Sequence, residues 1–346
     1  MKRLITSCLK KTVLYSLCAY VAITVILFFS QDSLLYLPNG RPSSPLPLSL
    51  TYSPQLQHAL ALRQPSGLPA SWPAGYLVLA SLRDHQGQYP AQGVGTGFTS
   101  LSWLLVQEAR PLERDTIIFF HENAGNIGAR LDFLELLYRE LRCNILVVAY
   151  RGYSDSQGSP SEAGLELDAM AVFHYAQASD IINQDRLYLF GRSLGGAVAI
   201  YLAEQVQPRF KGLILENTFT GISEMADALF FFIKPVKPFI LRNWWPSIHR
   251  IANIKTPILF LSATKDEIVP SYMMQELYEK ADAAKFKRFH KLPGGHNDSW
   301  IAGGDNYLKE IKKFMDEARN AEVAQGEQQG HQEKEKPQEK KNEDDL

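Results

Sequence analysis

The sequence predicts an α/β fold: an eight-stranded, mostly parallel sheet with helices on both faces, preceded by an N-terminal transmembrane helix. Three observations carry this. Strand-like apolar runs alternate with helical patterns from Gly75 onward, as a sheet of mostly parallel strands requires. The stretch Leu187 to Ala197, LYLFGRSLGGA, reads strand, sharp turn, helix, with Gly191-Arg192-Ser193-Leu194-Gly195 at the turn. An uncharged apolar run covers Thr12 to Ser30. The chain divides into a basic segment (1–11), a transmembrane anchor (12–30), a connector (31–75), an α/β body (76–318) with a small lid-like insertion (217–256), and a disordered charged tail (319–346).

The apolar run lies within the range of lengths that cross a bilayer, for which about 20 residues are needed. Bulky Phe28-Phe29 sit where a signal-peptide cleavage site would need small residues, so an uncleaved anchor is expected over a cleaved signal. Lys2, Arg3, Lys10 and Lys11 precede the run and Asp32 follows it, which predicts a cytosolic N-terminus with the body on the other side. Cys8 lies where S-palmitoylation beside the membrane occurs. Residues 38–75 are rich in Pro, Ser and Gly and read as an extended connector, and the Gly93 to Gly97 cluster reads as a turn between two strands.

Basic and acidic residues balance to a formal net charge of -1, which gives no field for nucleic acid. Cys8 and Cys18 belong to the N-terminal segment, so Cys143 is the body's single thiol and no internal disulfide forms there. The histidines lack metal-ligand spacing, and no metal or cofactor is expected. The sequence assigns no oligomeric state.

The expected strands are Gly75 to Leu82, Ser100 to Gln107, Thr116 to Phe120, Asn144 to Tyr150, Arg186 to Phe190, Lys211 to Glu216, Pro257 to Ser262 and Lys285 to Leu292. Helical patterns lie near Gly128 to Leu141, Ser161 to Ala178, Leu194 to Val206, Ser271 to Ala281 and Trp300 to Ala318. Chemistry in such sheets gathers where strands end. Ser193 ends its strand at a nucleophile elbow, where a strained backbone aims the hydroxyl outward.

Chain order in this arrangement is serine, acid, histidine. Asp266, in the polar turn after a buried strand, is the expected acid, with Glu267 and Glu216 as alternatives. His296, flanked by glycine on the last loop, is the expected base. An acyl intermediate needs two donors facing its oxyanion. The amide of Leu194 is one, and the amide of Asn123 or its neighbour Glu122 is the other; His121 pins that loop.

Gly191 to Gly196, His121 to Asn126, Tyr150 to Tyr153, Glu216 to Phe219 and Gly295 to Asp298 resemble the membrane-anchored α/β-hydrolases called abhydrolase domain-containing protein 13, or bud-emergence-like hydrolases. The resemblance covers roughly Asp32 to Ala318 and includes the anchor. It implies an α/β-hydrolase fold and a triad on Ser193, Asp266 and His296, with no substrate defined. The chain departs from the family's usual pattern at Glu122, where glycine is usual, and at Ala149 and Ser154, in place of Asp and Gly. A glutamate here is expected to restrict the loop, to put negative charge near a developing oxyanion and so to weaken catalysis.

In the insertion, Phe230, Phe231, Phe232, Phe239, Trp244 and Trp245 have three readings: an acyl-pocket lining, a bilayer contact, or ordinary core packing. The chain ends Glu343-Asp344-Asp345-Leu346, loosely like an endoplasmic-reticulum retrieval signal, but the match is inexact and an ordinary solvated acidic tail is the preferred reading. The sequon Asn297-Asp298-Ser299 lies beside His296, so it is expected to stay unmodified or the topology to be reversed. The expected function is a serine hydrolase cleaving an ester or thioester of a hydrophobic acyl group, with the membrane met through the N-terminal helix. The alternatives are a weakened binding or scaffold protein and a serine peptidase.

Overall fold

A computed structural model of the chain describes residues 2–38, 77–82, 101–106, 110–154, 156–229, 232 and 234–334. The connector beyond residue 38, the Gly93 to Gly97 turn, Phe230 and Phe231, and the last twelve residues lie outside the described residues.

The chain begins with helix α1 (Lys2–Leu35). Within it, Tyr15–Leu35 is long and apolar enough to cross a membrane. The body then builds one sheet in the order β1-β2-β4-β3-β5-β6-β7-β8. Its strands are β1 (Leu77–Leu82), β2 (Leu101–Val106), β3 (Thr116–Phe120), β4 (Asn144–Val148), β5 (Leu187–Arg192), β6 (Gly212–Glu216), β7 (Ile258–Ala263) and β8 (Lys287–Leu292). The expected eight-stranded, mostly parallel sheet is corrected here. The parallel sheet has six strands, β3 to β8, not eight. β1 runs antiparallel to β2, and β2 antiparallel to β4. Parallel neighbours need a long crossover, usually a helix, and the Gly-rich sequence between β1 and β2 carries no helical pattern.

Strands β3 to β7 are buried along their whole length, which is why TIIFF, NILVV and GLILE read as continuous apolar runs and not as alternation. The edge strand β8, KRFHKL, is half exposed and charged, which blocks further pairing. The crossover α2 (Leu131–Leu141) and the helix after the last strand, α9 (Ser299–Lys334), touch each other, while α3 (Glu162–Ala178), α4 (Leu194–Gln205), α7 (Ser247–Arg250) and α8 (Ser271–Lys280) form a second contiguous layer. Ser161 caps α3 by accepting from the Gly164 amide. Helix α9 continues past Arg319, where the composition turns polar, and kinks at Gly304.

Between β6 and β7 the insertion forms α5 (Ile222–Leu229) and α6 (Lys237–Ile240). It packs on α1. Gln31 Nε2 donates to the Ile240 carbonyl at 2.5 Å, Arg242 pairs with Asp32 at 3.0 Å, and Asn243 Nδ2 donates to Asp32 at 2.7 Å. Just past the helix, Tyr36 is buried, donating to Asn243 Oδ1 at 2.9 Å and accepting from Trp245 Nε1 at 3.1 Å.

Candidate functional site

Strand β5 ends at Arg192 and α4 begins at Leu194, so Ser193 alone makes the turn, with φ 53° and ψ −120°. A side-chain-bearing residue rarely takes a positive φ, and such strain clusters at working sites. The turn is this tight because glycines let backbones touch. A Cβ at Gly191 would lie 2.2 Å from the Gly195 carbonyl oxygen, and one at Gly195 would lie 2.0 Å from that of Phe120. The Ser193 amide donates to the Glu216 carbonyl at 2.9 Å, and Thr218 Oγ1 donates to the Ser193 carbonyl at 2.7 Å, so both its peptide groups are fixed.

The loop after β8 brings His296 over the serine. Its Nδ1 lies 2.7 Å from Asp266 Oδ2 and its Nε2 lies 2.9 Å from Ser193 Oγ. A carboxylate only accepts, so Nδ1 carries the proton, and the neutral ring then accepts from the serine hydroxyl at Nε2. The second oxygen of Asp266 accepts from the amides of Ile268 and Val269 at 2.9 and 2.7 Å. The two alternative acids stand elsewhere. Glu267 accepts from the His296 backbone amide at 3.0 Å, and Glu216 is fully buried among Arg192, Ser299 and Tyr307. Asn217, left-handed at φ 47°, donates to the His296 carbonyl at 3.0 Å and accepts from the Ala263 amide at 2.8 Å, tying the ends of β6 and β7 to the histidine loop.

The loop after β3 faces the elbow from the other side. Asn123 and Leu194 both border the pocket above Ser193. His121 is buried and packs on Tyr150 and Tyr153, with ring centroids 4.2 and 5.3 Å away. Burial, and then the charge of Arg130, lowers its pKa to about 3, so it is neutral and its Nδ1 bonds the Glu122 carbonyl at 2.7 Å. It lies within the loop's packing and is not among the residues around Ser193 Oγ.

Glu122 overturns one sequence expectation. Its carboxylate receives Arg192 Nη1 at 3.1 Å and Arg130 Nε at 3.0 Å. Burial would raise its pKa, but Arg192 and then Arg130 bring it down to about 2. Arg130 also donates to the carbonyls of Ala124 and Asn126, while Arg192 Nε donates to Glu216 at 2.9 Å. Glu122 is thus a neutralised strut between the β3 loop and the elbow. No uncompensated charge confronts a developing oxyanion. Ser154, the other departure in this region, holds the φ of 50° that a glycine would otherwise supply, and its hydroxyl accepts from the Ile127 amide at 3.2 Å.

A pocket of about 310 Å³ opens on Ser193. Its body-side wall is apolar, with Phe219, Ile222, Met225, Ala226, Ile268 and Val269. Of the insertion aromatics weighed from the sequence, Phe232, Phe239 and Trp244 are exposed and Trp245 is core, and none of these four borders this pocket. The opposite wall is Leu27, Gln31, Leu34 and Leu35 of α1. Sequence reasoning missed this wall, because nothing in a membrane-length apolar run marks it as part of a site so far along the chain. It also missed Arg130, Arg192, Asn217 and Tyr307; the only trace was a charged Arg192 inside an otherwise apolar strand end. Among the described residues no group of three His, Cys, Asp or Glu is placed to hold a metal.

A family model for the alpha/beta hydrolase fold matches residues 115–240. The chain is 41% identical over 214 residues to the alpha/beta hydrolase domain-containing protein WAV2 of Arabidopsis thaliana, covering 58% of this chain and 70% of that protein. It is 41% identical over 218 residues to protein bem46 of Schizosaccharomyces pombe, covering 62% and 72%. The Pyrococcus furiosus esterase Pf2001 superposes with a TM-score of 0.55 at 14% identity, over 81% of this chain and 98% of that one, a likeness of fold.

Proposed function

This chain belongs to the α/β-hydrolase family that contains WAV2 and bem46 and is an enzyme of serine-hydrolase type, and we propose that it cleaves an ester or thioester of a hydrophobic acyl group. The observation that carries the substrate class is the apolar pocket into which Ser193 Oγ opens.

In this reading Ser193 Oγ attacks the acyl carbonyl carbon as His296 Nε2 takes its proton. The oxyanion is held by the Leu194 amide and by that of Asn123 or Glu122. The leaving alcohol or thiol takes the proton from His296. Water then adds to the acyl-enzyme, giving its own proton to His296, and the acid departs as Ser193 recovers a proton. Asp266 holds the ring in the required tautomer and balances the imidazolium. The scaffold alternative rested on Glu122, and its neutralisation by Arg192 and Arg130 removes that motive.

The division into anchor, connector, body and tail is retained in the proposal, with the anchor helix running on to Leu35 and the last helix to Lys334. So is a single-pass anchor with a cytosolic N-terminus, supported by Lys2, Arg3, Lys10 and Lys11 before the apolar run, with residence in the endoplasmic reticulum. A fluorophosphonate probe is expected to label the wild type and not Ser193→Ala. A panel of acyl esters, thioesters and peptides then fixes the class. Labelling that survives the serine replacement would sink the assignment.

A further inference from the structure

We propose that the last two turns of α1 are a specificity-determining wall of the acyl site, so that the acyl chain cleaved is one already resident in the membrane leaflet. This rests on the acyl-hydrolase reading above and deepens it.

The wall is made by four α1 residues at helical spacing, Leu27, Gln31, Leu34 and Leu35, facing Ile222 and Met225 of α5 across the pocket. Gln31 is fixed there by the Ile240 carbonyl and by the Arg242 amide, which donates to its Oε1 at 2.8 Å. The helix is held at its end as well. Asn123 Nδ2 donates to the Leu35 carbonyl at 3.1 Å, and the Leu37 amide donates to the Asn123 carbonyl at 2.8 Å. Helix, pocket and oxyanion-side loop are therefore one packed unit.

Length places this unit against lipid. Crossing the hydrocarbon core takes about 20 helical residues. The uncharged run starts only at Thr12, so a full crossing is not complete before Leu27. The pocket rim consequently sits at the edge of the leaflet. The surface beside it agrees: Phe239 is 84% exposed, Phe232 and Trp244 are also exposed, and the exposed Lys234 and Arg242 lie in the same stretch, the mixture that membrane interfaces favour. A chain lying in the leaflet can slide between α1 and α5 toward Ser193 without passing through water. A pocket near the low end of the usual range, about 300–1,000 Å³, takes one such chain.

The test uses the full chain. Leu27→Trp and Leu34→Trp fill the wall side of the pocket, and Phe29→Trp, on the exposed face, is the control. Hydrolysis of palmitate against butyrate esters is measured in detergent. The palmitate ester is then supplied either in the phosphatidylcholine vesicles that carry the protein or in separate vesicles. We expect the palmitate-to-butyrate ratio to fall about tenfold or more in both wall variants and to hold in the control, with hydrolysis only when ester and protein share a vesicle. An unchanged ratio, or equal rates from the two vesicle populations, overturns the proposal. Binding of a fluorescent long-chain fatty acid to Ser193→Ala in micelles needs no turnover. If the wild type hydrolyses no ester, the hydrolase reading fails, and this binding decides alone: weakening by Leu27→Trp supports the wall, and its absence overturns it.

Discussion

The carboxylate of Glu122 meets the guanidinium of Arg192 at 3.1 Å, and that contact joins the loop after β3 to the strand end that carries Ser193. One partner sits on the loop after β3, the other on the residue before Ser193. Glu122→Gln leaves Arg130 and Arg192 buried without their shared anion, a loss of about 3 kcal/mol for a broken buried pair. Glu122→Gly is expected to lower activity as well as stability, because the strut goes with the charge. Chemical denaturation and esterase rates measured together check this. A glycine variant faster than wild type would restore the opposite view, that Glu122 hinders the reaction.

The same residues set the acid behaviour. Glu122 has a folded pKa near 2, below its ordinary 4.5, so its contribution is complete above about pH 4.5 and is lost as pH falls toward 2. His121, held near 3 against an ordinary 6.5, takes up a proton on unfolding once the pH is below 6.5. Its contribution is present above 6.5 and is lost as pH falls toward 3. Unfolding midpoints followed against pH are expected to decline through both windows. Glu122→Gln removes the lower part of the slope, while His121→Phe removes the upper.

Asp266 and Glu267 are neighbours in sequence with different tasks, one holding the imidazole ring and one the His296 amide. Asp266→Asn is expected to cost roughly 10⁴ in kcat while leaving the fold, since the ring then rests in the wrong tautomer. Glu267→Gln keeps an acceptor for the amide and is expected to change kcat only severalfold. A steady-state comparison with a short-chain ester separates them, and equal losses would reassign the acid.

The sequon Asn297-Asp298-Ser299 is expected to remain unglycosylated in a secretory-pathway host. Its Ser299 is fully buried, with its hydroxyl on Glu216 at 2.7 Å, and Asn297 adjoins the site histidine. A glycosidase-sensitive shift in electrophoretic mobility, lost on Asn297→Gln, would contradict this.

The triad residues were legible because each ends a strand and local pattern marks it: glycines around Ser193, a polar turn at Asp266, a glycine-flanked loop at His296. The directions of the first two strands were not, since strand patterns carry no pairing sense, and β2 meets β4 antiparallel. Glu122 was read on its own charge. Its partners are invisible locally, Arg192 being 70 residues away in sequence, and a glutamate next to two arginines differs electrically from one next to none. Of the insertion aromatics weighed as pocket lining on composition, Phe232, Phe239, Trp244 and Trp245 stand away from the pocket, and one of its walls came from α1.

Among the described residues, the end of α1 is joined directly to the loop after β3. Leu35 is the last helical residue, and Leu37 already bridges to Ala124. A protease that cut the chain just before Leu35 to shed the body would withdraw the Leu27–Gln31 side of the pocket in the same stroke. Cut after Leu37, it would sever the loop facing Ser193 from the helix that steadies it. On the proposed pocket wall, detachment and inactivation are expected to be one event, and a soluble fragment is expected not to be a smaller copy of this enzyme.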